Sequence, residues 1–67
     1  MSIGKRIREL RLSANMSQTE LAELLYLSQD TISLWERDKS KPDIDAVISL
    51  VKIFNVTSDY LLGLEDY

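Results

Sequence analysis

The chain has 67 residues, enough for one small domain near the lower limit for folding without disulfides or metals. It contains no cysteine and no histidine, which removes disulfides, zinc–thiolate sites, the usual general base and the commonest metal ligand. A net charge of −3 weighs against a nucleic-acid partner, but residues 1–42 carry a net +1 and residues 43–67 a net −4, so the excess acid lies in the C-terminal part.

The first predicted helix runs from about Ser2 to Ala14, with Ile3, Ile7, Leu10 and Ala14 on one face and Asn15 as a left-handed stop. The second opens on Ser17, which forms a capping box with Glu20 while Met16 and Leu21 staple the entry. Leu21, Leu24 and Leu25 give it an apolar side. Ser28 caps the third helix, with Leu27 and Ile32 as a second staple. Its apolar side is narrow, only Ile32 and Trp35, and Trp35 reads as core. Gln29, Asp30, Ser33, Leu34 and Arg37 are left facing outward. Residues 38–42 form a polar loop that holds the lone proline. Asp43 caps a fourth helix with Val47, Leu50, Val51 and Phe54 at helical spacing, ended by Asn55. Thr57 caps a short fifth containing Leu61 and Leu62, with Val56 as staple and Gly63 as stop. There is no strand pattern, repeat or linker. The expected fold is all-α: a compact five-helix bundle, one domain over residues 1–67, with a helix-turn-helix core at about residues 17–37.

Two short helices joined by a tight turn, the second with a polar outer face, can push that second helix into the DNA major groove. Gln29 heads it, and a glutamine amide can pair with adenine N6 and N7; a phosphate contact or plain solvation is the alternative. Asp30 can accept from cytosine N4 or simply favour the helix dipole. Ser33 is permissive. Leu34 can meet a thymine methyl or a protein partner. These four are the candidate base contacts. Gln18, Thr31, Arg37, Lys39, Ser40 and Lys41 are candidate phosphate contacts, with Gln18 at a helix N-terminus and the two lysines flanking Ser40 on the loop. Solvated side chains are the plainer alternative for each. Leu64 and Tyr67 follow Gly63 with no helical face to justify them, which makes them candidate dimer contacts unless Leu64 folds back on its own core.

Catalysis is not expected. Glu20 with Glu23, or Asp43 with Asp45, could be read as carboxylate pairs for acid–base work, but capping already accounts for Glu20 and Asp43. No cofactor and no metal are expected. No apolar run reaches the length of a membrane span, and the basic residues 5–8 are not followed by a signal-peptide core. A cytoplasmic protein without a membrane partner is expected.

Gln18-x-Glu20-Leu21-Ala22 followed by Leu27-Ser28-x-x-Thr31-Ile32-Ser33-x-Trp35-Glu36 resembles the lambda-repressor-like (Cro-type, or Xre) helix-turn-helix family. So do Arg8-x-Leu10-Arg11, Lys41-Pro42 and Val56-Thr57-x-Asp59-Tyr60-Leu61-Leu62-Gly63, so the resemblance covers nearly the whole chain. It implies a sequence-specific DNA-binding transcriptional regulator, a repressor of phage or plasmid type. A homodimer would sit on a pseudo-palindromic operator of double-stranded DNA, one third helix in each major groove. It also implies that Arg11 and Glu36 pair. The alternative from another class is a protein-interaction module on the same scaffold, antitoxin-like or polymerase-contacting, docking through Leu34 and the acidic C-terminal half. Two departures stand out. Tyr26 and Asp38 occupy positions where the family usually has glycine, so a left-handed backbone is expected there at some cost, or else an altered turn.

Overall fold

Each helix begins where a short oxygen-bearing side chain closes on an amide three residues ahead: Ser2 on Lys5, Ser17 on Glu20, Ser28 on Thr31, Asp43 on Ala46 and Thr57 on Tyr60. The computed structural model describes residues 1–65. Among them run α1 (Ile3–Ser13), α2 (Gln18–Leu25), α3 (Gln29–Glu36), α4 (Ile44–Phe54) and α5 (Ser58–Leu61), with no strand. The Ser17 capping box is complete, its amide donating to Glu20 Oε1 at 2.9 Å.

The helix ends are as uniform as the starts. A residue with positive φ follows each helix: Asn15 (56°), Tyr26 (59°), Asp38 (59°), Asn55 (55°) and Gly63 (81°). The amide after each of these donates to a carbonyl five residues back, at 2.8–3.1 Å: Met16 to Arg11, Leu27 to Ala22, Lys39 to Leu34, Val56 to Val51 and Leu64 to Asp59. These are Schellman ends, which satisfy carbonyls that the helix leaves open. Tyr26 accepts the left-handed conformation at a cost of roughly 1–2 kcal/mol, and its side chain is 95% exposed.

Every helix contributes to one core. Ile7, Leu21, Ile32, Leu50 and Leu61 are fully buried, joined by Ala22 and Trp35. Each large aliphatic side chain buried in this way stabilises by about 1.5–3 kcal/mol. α3 packs against both α1 and α2, while α5 lies against α1 and α4. The contact between α1 and α3 is a close one. A Cβ on Gly4 would collide with the carbonyl oxygen of Trp35, so glycine is what lets the two backbones meet.

Three expectations need correction. α1 stops at Ser13, and Ala14 is exposed as the cap. In α2, Leu24 is 52% exposed, and Ala22 takes the core position instead. At 100° per residue, Leu21, Ala22 and Leu25 share a face whose centre lies about 100° from Leu24. α5 ends at Leu61, so Leu62 is its cap and is exposed. One core feature was missed altogether. Arg6 is buried, with its guanidinium 3.9 Å from the centroid of the Tyr60 ring, and Nη2 donates to the Glu65 carbonyl at 3.4 Å. It ties α1 to α5 and to the segment that follows. Arg6 lies three residues after Ile3 and four before Leu10, on the apolar stripe, which was the available signal.

Candidate nucleic-acid interface

Ile32 and Trp35 pin α3 to the core, and that single anchored side determines what its other residues can do. Gln29 and Asp30 are exposed at its start, Leu34 is exposed further along, and Ser33 is half-buried between them. The four candidate base contacts therefore lie on or beside one outward face, Ser33 less open than expected. Its hydroxyl accepts from Arg37 Nε at 3.2 Å, and the Ser33 carbonyl accepts from the same atom at 3.3 Å. Arg37 thus lies back along its own helix. Thr31 is half-buried, its hydroxyl bonded to that of the cap residue Ser28 at 3.0 Å.

A chain of polar contacts runs from α1 to the head of α3. Arg11 Nε donates to Glu36 Oε2 at 2.7 Å and Nη2 to Glu36 Oε1 at 2.9 Å, a two-pronged pair whose side chains are only 9% and 4% exposed. Arg11 Nη1 also donates to the Met16 carbonyl at 2.8 Å. The hydrogen bond to Glu36 raises the Arg11 pKa above its ordinary value, helped by charge attraction and opposed by burial. A raised cationic pKa means the stabilisation is complete below the ordinary guanidinium value and fades only above it, so it is constant over the physiological range. Glu36 Oε1 accepts in turn from Gln18 Nε2 at 3.1 Å, and Gln18 Oε1 accepts from Gln29 Nε2 at 2.6 Å.

That last bond bears on recognition. Gln29 has two amide hydrogens and a carbonyl. One hydrogen goes to Gln18; the other, with the carbonyl, is the pair that a two-pronged adenine contact requires. Gln18 is half-buried, and its carbonyl holds the Gln29 amide. Gln29→Ala should lose discrimination at one base pair by about 1–3 kcal/mol, whereas Lys41→Ala should weaken all sequences alike. Competition with duplexes changed one base pair at a time checks this. An equal loss on every duplex with Gln29→Ala would make the residue a phosphate contact.

Lys39, Ser40 and Lys41 are all exposed. The amides of Lys39 and Ser40 both donate to the Leu34 carbonyl, at 2.9 and 3.4 Å, so the loop folds back over the end of α3. The lysines therefore flank the same helix that Gln29 opens. Leu64 is 73% exposed, and its amide bonds back to Asp59. Tyr67 lies outside the described residues. No helix among the described residues is long and apolar enough to cross a membrane.

Comparison with known proteins adds independent observations. Residues 7–61 match the family described as Helix-turn-helix. The chain is 42% identical over 66 residues to the HTH-type transcriptional regulator ImmR of Bacillus subtilis, covering 98% of this chain and 52% of that protein. It is 38% identical over 66 residues to the HTH-type transcriptional activator BcrR of Enterococcus faecalis, covering 98% of this chain and 32% of that one. The chain thus spans about half the length of ImmR and a third of BcrR. In structure it is similar to the P22 c2 repressor protein in complex with a synthetic operator, with a TM-score of 0.89 and 31% identity over 97% of this chain and 98% of that one.

Proposed function

This chain belongs to the helix-turn-helix family, and on that premise we propose that it is a sequence-specific DNA-binding transcriptional regulator, a cytoplasmic repressor of phage type. The observation that carries the reading is the relay from Arg11 to Gln29, which orients a base-reading amide at the head of an outward helix face. The lysine loop at the other end of that helix supplies cations for phosphate. The likeness to the P22 c2 repressor in complex with a synthetic operator supports the DNA-binding part of this reading. In this mechanism two copies, held together through the exposed Leu64, place one α3 each in successive major grooves and block access to a promoter. Half-sites should then lie about one turn, roughly 10 base pairs, apart.

Salt titration tests the proposal. If two copies together neutralise about six to eight phosphates, log K against log salt should slope at roughly −5 to −7 on a duplex selected from random DNA. A flat response would favour the second reading, a protein-docking module, which the exposed Leu34 on the outer face supports. An apolar interface of that kind does not weaken with salt.

A further inference from the structure

Four helices carry an acidic residue in their first turn: Glu20, Asp30, Asp45 and Asp59. α1 has none. A carboxylate at that place offsets the partial positive charge of the free amides. α1 obtains one from far along the chain. Asp38 Oδ2 accepts the Ser2 hydroxyl at 2.9 Å, while Ser2 Oγ accepts the Lys5 amide at 3.1 Å. The other oxygen, Oδ1, lies 2.6 Å from where a Cβ on Gly4 would be, against the first turn itself. The start of α1 is thus held by its own serine and by a carboxylate from the end of α3.

Asp38 is also where the lysine loop begins. Its backbone is left-handed, its amide donates to the Trp35 carbonyl at 3.0 Å, and the next two amides turn back onto Leu34. Ser2, Asp38 and Lys41 border a common hollow. Glycine would meet the backbone requirement without strain, but it would bring no carboxylate.

We propose that Asp38 is a positioning residue: its carboxylate fixes the root of the Lys39–Lys41 loop to the start of α1, so that the loop cations and α3 are presented to DNA as one unit. This rests on the DNA-binding reading and deepens it. Three variants test it: Asp38→Gly keeps the backbone but removes the carboxylate, Ser2→Ala removes the donor, and Asp38→Asn keeps an acceptor oxygen without charge. Amide hydrogen exchange at Lys39 and Ser40 is read on the free protein, and affinity on a duplex that the wild-type chain selects from a random pool.

Asp38→Gly should keep a urea midpoint close to wild type, because relief of the left-handed strain offsets the lost bond. Its Lys39 and Ser40 amides should exchange about tenfold faster, and DNA affinity should fall about threefold to tenfold. Asp38→Asn should fall between, and Ser2→Ala should add nothing to loop exchange in the Asp38→Gly background. Unchanged loop exchange in both Asp38→Gly and Ser2→Ala overturns the latch. Faster exchange with unchanged affinity overturns its role in binding. A wild-type chain that selects no duplex overturns the DNA-binding reading and with it that role, while the exchange rates still decide whether the latch exists.

Discussion

Glu36→Gln should remove about 3 kcal/mol of stability, and Arg11→Met a similar amount, because each strands a charge that the fold has largely withdrawn from water. A domain of this length has roughly 3–10 kcal/mol in total, so either change consumes much of it. The geometry argues for a value well above that of a surface pair, which is worth at most about 1 kcal/mol. Two parallel bonds of 2.7 and 2.9 Å join groups less than a tenth exposed, and both partners carry further bonds, to Met16 and to Gln18. The double variant should cost less than the sum of the singles, since an apolar Met beside an uncharged Gln leaves no stranded charge. Urea melts of the three variants measure this directly. Single costs under about 1 kcal/mol that add without coupling would reduce the pair to a surface contact. Loss of Glu36 also releases Gln18, so DNA selectivity at the Gln29 base pair should decline even in the folded fraction.

The second large effect runs against helix propensity. In an exposed helix, glycine to alanine stabilises by up to about 1 kcal/mol. Gly4→Ala should instead destabilise by about 3 kcal/mol, at the upper end of the ordinary cost of overpacking. The added methyl meets the Trp35 carbonyl, which is backbone and cannot rotate away. α1 would have to lift from α3, straining the Ser2–Asp38 bond at one end of α1 and the Arg11–Glu36 pair at the other. A thermal melt against Ser13→Ala, at an exposed position of the same helix, supplies the control. Gly4→Ala at or above wild-type stability would show that the helices are free to separate.

What was legible in the sequence was chemistry that closes over a few residues. Ser17, Ser28, Asp43 and Thr57 could be named as caps because a cap needs only its own oxygen and an amide three residues on. Asn55 and Gly63 could be named as stops for a similar reason. Leu24 was misplaced because helical spacing groups side chains by face without saying how far a neighbouring helix reaches around. Arg6 was missed because its partners Tyr60 and Glu65 are brought to it only by the docking of α5. At the candidate interface, the outward places of Gln29, Asp30 and Leu34 followed from Ile32 and Trp35 alone, while Ser33, read as outward, is half-buried. The bond from Gln18 to Gln29 depends on the angle between α2 and α3, and no local pattern encodes it.

The paired caps and Schellman ends have a consequence for how quickly this chain reaches its native form. Each helix boundary is closed by bonds spanning three to five residues, so little loop entropy is spent before it forms. The conformational search is then narrowed at each boundary, while the helices themselves, of 4 to 11 residues, hold only once their apolar faces dock. Helical domains of such local character fold within about microseconds to milliseconds. A copy that opens by chance is therefore expected to close again quickly, which shortens the time its apolar core is exposed to another open chain.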